Sequence, residues 1–94
     1  MIADRLAAIR ARFVERSIGD CEQLKRMLDA DAPDLTPVCA IAHRLAGGGG
    51  TVGLPAVSAA AAALEDACDA QDMDAVRRYA HQLRQIISAL LEDR

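Results

Sequence analysis

Ala42-His43-Arg44-Leu45-Ala46-Gly47-Gly48-Gly49-Gly50-Thr51-Val52-Gly53 places one histidine on a helical stretch and surrounds it with residues that have almost no side chain. With Thr36 as the cap and Pro37 as the first helical residue, Val38, Ile41, Ala42, Leu45 and Val52 fall on one stripe at about 100° per residue. His43 points away from that stripe. Its neighbours on the same outer face are Cys39, Ala46 and Gly47 about one turn away and Gly50 about two turns away. The imidazole therefore stands clear of its own helix, open to another protein. Each glycine inside a helix costs about 1 kcal/mol relative to alanine, so the run asks for a reason other than stability. Close approach by a partner, or by a second helix, is such a reason.

Working outward, the chain reads as four helical segments. The first spans about Ile2 to Leu28, with Leu6, Ile9, Phe13, Leu24 and Leu28 as its apolar positions. Gly19, beside Ser17-Ile18, interrupts it, so it reads as two helices or as one kinked helix. Asp29 to Asp34 has the Asp and Pro punctuation of a loop. The His43 helix runs from about Thr36 to Gly49 or a little beyond. Gly53 and Pro55 separate it from a third helix, Pro55 to Asp69, whose stripe is Leu54, Val57, Ala60, Ala61, Leu64 and Cys68. The short connection makes these two antiparallel neighbours. Asp72 is the expected N-cap of a last helix, Met73 to about Glu92, carrying Met73, Val76, Ala80, Leu83, Ile87 and Leu90. No segment alternates like a strand. The expected fold is all-α, an antiparallel up-and-down four-helix bundle with an extra or kinked N-terminal helix.

The 94 residues suffice for one domain, 1–94, and not for two. Only 2% are aromatic, and alanine fills much of the interior, so the helices approach closely but bury little area apiece. The formal net charge of −3 argues against a nucleic-acid binder, which needs a basic face to displace phosphate counterions. Three cysteines, Cys21, Cys39 and Cys68, form no CxxC pair and read as reduced thiols of a cytoplasmic protein. The N-terminus lacks a signal-peptide core, and the initial Met with its early charges favours a freestanding chain. The uncharged run Leu45 to Leu64 approaches span length, but its glycines, Pro55, Thr51 and Ser58 make it too weakly hydrophobic to cross a membrane. Arg5, Arg10, Arg12 and Arg16 are interleaved with Asp4 and Glu15 and read as solubility, not as a membrane surface.

His43-Arg-Leu-Ala-Gly47, followed by Gly53 ten residues after the histidine and then by Leu64-Glu65, resembles the histidine phosphotransfer (HPt) domain of multistep phosphorelays. The pattern there is H-x-L-K-G with a glycine near the tenth following position, and the likeness covers most of the chain. The resemblance implies that His43 takes a phosphoryl group from the aspartyl phosphate of a receiver domain and passes it to another receiver. Histidine suits such a role because its unperturbed pKa is near ~6.5, leaving a neutral, nucleophilic nitrogen at cytoplasmic pH. Partners would be response-regulator receiver domains and a hybrid histidine kinase, with a monomeric carrier. The receiver would supply Mg²⁺, and the chain itself would need no cofactor or ATP site, as a carrier and not an enzyme. Glu65 falls where kinase-borne members have a glutamate that hydrogen-bonds the imidazole, and Gly47 where a glycine keeps the histidine's face open. The departure is Ala46, where a lysine usually steadies the phosphoryl oxygens. Arg44 is the nearest cation and the candidate phosphate contact, although it sits about 100° round the helix. With the lysine absent, the alternative is a non-phosphorylated helical adaptor that binds a receiver or kinase.

Other residues have blander readings. His81 lies as far from its stripe as His43, but Arg77, Arg84 and Gln85 crowd it, as on a solvated helix. Cys39 and His43 have metal-ligand spacing, yet no second Cys/His pair completes a site, so no metal is expected. Glu65-Asp66 and Asp69 otherwise read as ordinary helix surface.

Overall fold

The computed structural model describes the backbone of residues 2–93 and the side chains of residues 4–93. Met1 and Arg94, the ends of the expected 1–94 domain, lie outside the described residues. Four helices follow in order: α1 Ile2–Leu28, α2 Leu35–Thr51, α3 Pro55–Asp69 and α4 Met73–Glu92. α1 packs on α2 and α4, and α3 on α2 and α4, while α1 and α3 lie on the diagonal of the bundle. Along α1 and α2 the bonds Arg10–Val52 and Asp20–Arg44 run in opposite directions, as do His43–Glu65 and Ala46–Ser58 along α2 and α3, and a tight turn returns α4 along α3, so the bundle is up-down-up-down.

α1 is a single continuous helix, neither split nor supplemented at Gly19. Gly19 faces open space, and Ser17 turns inward, its hydroxyl donating to the Phe13 carbonyl at 2.7 Å. A buried hydroxyl satisfied one turn back leaves the helix intact. The expected α1 stripe holds for Phe13, Leu24 and Leu28, which are buried, but Leu6 and Ile9 are 47% and 50% exposed. α2 begins at Leu35, two residues before the expected first helical residue Pro37, because Asp34 and not Thr36 is its cap. The Asp34 carboxylate accepts from the Thr36 N–H at 3.0 Å, so Thr36 is the capped residue and Pro37 sits in the first turn, where a missing N–H is harmless.

The two tight turns share one device. Gly53, at φ +77°, follows the α2 C-cap; its N–H reaches Gly50 O and the Leu54 N–H reaches Gly49 O. Arg10 Nε adds a bond to the Val52 carbonyl at 3.0 Å. After α3, Gln71 takes the same left-handed place at φ 54°, with its N–H on Cys68 O and the Asp72 N–H on Ala67 O. This is the paired capping pattern that closes a helix with a left-handed residue. Asp72 then caps α4 as expected, accepting from the Ala75 N–H at 3.1 Å.

The core is aliphatic: Leu24, Val38, Leu45, Val57, Leu64, Val76, Leu83 and Ile87 are fully buried, with Ala42, Ala61 and Ala80 between them. The stripes expected on α2 and α3 face this core. Small residues set the helix spacing. A Cβ on Gly48 would collide with the Phe13 ring, and one on Gly49 would stand 3.0 Å from the Ser58 backbone nitrogen.

Candidate functional site

His43 lies midway along α2, where the buried Ile41, Ala42 and Leu45 fix the helix's rotation and so aim residue 43 outward. Its side chain is 78% exposed. Glu65 projects from the C-terminal third of α3, whose own rotation is set by Ala61, Leu64 and Cys68 in the core. The antiparallel register brings Glu65 Oε2 to 2.9 Å from His43 Nδ1. With a proton on Nδ1 the imidazole donates to the carboxylate, and the lone pair is left on Nε2, at the outer edge of the ring.

One turn back, the same register repeats. Cys39 Sγ donates to Asp69 Oδ1 at 3.5 Å, so Cys39 and His43 on α2 face Asp69 and Glu65 on α3. All four line an open groove that continues to the α1–α2 linker. Asp69 is therefore part of the site's surroundings and not ordinary helix surface. Its signal was available in the sequence, because pairing 43 with 65 on antiparallel helices also pairs 39 with 69. Partial burial, and then the bond to Asp69, push the Cys39 thiol up from its ordinary value. Among the described residues no group of three or more His, Cys, Asp or Glu is arranged to hold a metal ion.

The other positions singled out in the sequence divide by what they face. Nothing lies near a Cβ built on Gly47, and Gly50 meets only the Ser58 hydroxyl at 3.6 Å, so both present backbone to solvent beside the histidine. Ala46 is half-buried, and its carbonyl accepts from Ser58 Oγ at 2.8 Å, a second clasp between α2 and α3. Gly48 and Gly49 instead serve packing against α1 and α3. Arg44 turns to α1, where Nη2 donates to Asp20 Oδ1 at 2.7 Å. Asp20 carries no signal in the sequence because its partner lies on another helix. His81 is exposed on α4 with Arg84 Nη2 3.3 Å from its Nδ1.

The fold and site define an all-α bundle that presents one carboxylate-braced imidazole on an open, small-residue face. A family model described as the Hpt domain matches residues 8–93. The chain belongs to the Hpt domain family, whose role is histidine phosphotransfer with receiver or kinase partners in phosphorelays. No curated protein and no solved structure gave a significant match. No helix among the described residues is long and apolar enough to cross a membrane.

Proposed function

We propose that this protein is a phosphoryl carrier in which His43 Nε2 accepts the phosphoryl group of a receiver's aspartyl phosphate and returns it to the aspartate of another receiver. The observation that carries the reading is the 2.9 Å pair between His43 Nδ1 and Glu65 Oε2 on a ring that is 78% exposed. In the forward step the Nε2 lone pair attacks phosphorus, an N–P bond forms, the P–O bond to the aspartyl oxygen breaks, and that oxygen leaves as carboxylate. The ring then carries positive charge, with its Nδ1 proton held by Glu65. One carboxylate thus selects the reactive tautomer and balances the product. A receiver's Mg²⁺ would supply the charge neutralisation for the transferring group, so this chain's own part is the imidazole and the carboxylate that braces it. Gly47 and Gly50 leave room for the receiver's loops.

The test is incubation with a panel of phosphorylated receiver domains, following intact mass and acid lability. An acid-labile gain of one phosphoryl group, absent in His43→Gln, is expected. A receiver that binds the parent without transferring would point to the adaptor reading. That reading draws on Ala46 standing in the lysine position and on Arg44 being engaged by Asp20.

A further inference from the structure

α1 is longer than the bundle beside it. Arg77, one turn into α4, donates to the Leu28 carbonyl at the far end of α1. Both helices rise about 1.5 Å per residue, so α4 runs out at about the level of Phe13. On the other flank, Arg10 is level with Val52, where α2 has ended. The α1 residues before Arg10 therefore project with no helix alongside, and 4–10 are all exposed. This projection carries Leu6 and Ile9, the exposed large hydrophobic residues of the described chain. The family match begins at residue 8, so part of the projection lies outside it.

Charges that alternate in sequence are sorted in space here. At about 100° per residue, Leu6, Ile9 and Phe13 lie within roughly 60° of one another. Arg5, Arg12 and Arg16 fall about 50° to 90° to one side of that stripe and Arg10 about 70° to the other, while Asp4 and Glu15 take the opposite face. Arg10 already holds the Val52 carbonyl. Ile9, Arg12, Glu15 and Arg16 border one shallow hollow, in which the two arginines outnumber the single carboxylate.

We propose that the projecting start of α1 docks an acidic amphipathic helix of a partner protein, with the partner's apolar stripe on Leu6 and Ile9 and its carboxylates against Arg5, Arg12 and Arg16. Charge complementarity selects this occupant. A second copy of the chain would set the same arginines along both sides of a shared seam in either orientation, and like charges there oppose pairing.

The experiment titrates the full chain, isotopically labelled for NMR, with a synthetic acidic helical peptide bearing an apolar stripe. A peptide of identical composition with the stripe scrambled serves as control. Shifts centred on 4–16 are expected from the striped peptide only, weakening about tenfold when salt rises from about 50 to about 300 mM. Leu6→Glu combined with Ile9→Glu should abolish them while unfolding temperature and transfer to His43 stay unchanged, which separates this proposal from the carrier reading. Equal binding of both peptides, or none, overturns the proposal. Self-association lost in the double variant reassigns the stripe to a second copy, and binding to vesicles containing phosphatidylserine, with no response to the peptide, reassigns it to a membrane.

Discussion

Among the single residues, Glu65 does two jobs for His43, and substitutions separate them. A glutamine in its place would still accept from Nδ1–H, so the tautomer bias survives while the balancing charge is lost; alanine removes both. Glu65→Ala is expected to slow phosphoryl transfer by about tenfold, the scale of one charge-assisted hydrogen bond at a partly exposed site, with Glu65→Gln in between. Rapid-quench transfer from one phosphorylated receiver measures the series, and equal rates for parent and alanine variant would remove Glu65 from the reaction. Gly47 and Gly48 are adjacent but physically opposite. A methyl on Gly47 meets nothing, so Gly47→Ala should stabilise by about 0.5 to 1 kcal/mol through helix propensity. A methyl on Gly48 meets the buried Phe13 ring, so Gly48→Ala should destabilise despite the same propensity gain. Urea melts of the two variants give the sign of each. Gly47→Gln keeps the fold and, by filling the face beside His43, should block transfer.

Each helix, as an element, is punctuated by chemistry that can be named. Asp34 and Asp72 satisfy first-turn N–H groups, and Gly53 and Gln71 close the preceding helices in the left-handed region. Gly53 thus has a structural reason to stand ten residues after the histidine: it ends α2 and turns the chain so that α3 returns antiparallel, which is what delivers Glu65. Gln71 occupies the equivalent place with a side chain, a conformation that costs a non-glycine residue about 1 kcal/mol. Gln71→Gly is expected to raise stability by up to about that amount, less the entropy that glycine adds to the unfolded chain. Thermal unfolding checks this, and a lowered Tm would show that the Gln71 side chain contributes more than its backbone strain costs. Arg44 and Asp20 tie α2 to α1 at the surface, where such a pair contributes about 0 to 1 kcal/mol.

For the molecule as a whole, the extents of 47 × 20 × 17 Å describe a long, narrow bundle whose core is built largely of alanine and branched aliphatics. Two of its cysteines belong to that core. Burial, with Asp20 nearby, pushes Cys21 from 9.0 to about 11, and burial, with Cys39 nearby, pushes Cys68 from 9.0 to about 11. Between those values the unfolded chain gives up both protons and the folded chain keeps them, so the folded state binds more protons and stability falls as pH rises. Below about pH 9 the contribution is fully present. Equilibrium unfolding should therefore weaken from about pH 9 to about pH 11, and a Cys21→Ala, Cys68→Ala double variant, though less stable at neutral pH, should lose less over that window. Parallel curves for the two proteins would rule out the thiols as the cause.

The helices and their rotation were legible in the chain alone. The three-to-four spacing of Val38, Ile41, Ala42 and Leu45 puts His43 outward whatever packs beneath, and the same logic turns Leu64 in and leaves Glu65 at the edge, because a helix's faces follow from local backbone geometry. Asp72 was legible as a cap for the same local reason. Contacts between helices were not, because register and lateral spacing arise from side-chain packing between segments far apart in the chain. It took the assembled bundle to show that Gly48 and Gly49 serve Phe13 and α3 while Gly47 stays open, and that Arg44 turns to Asp20. The same packing settles the fate of Leu6 and Ile9. Their periodicity matches that of Phe13, but α2 and α4 end before reaching them, so a stripe that periodicity alone assigns to the core is left facing solvent.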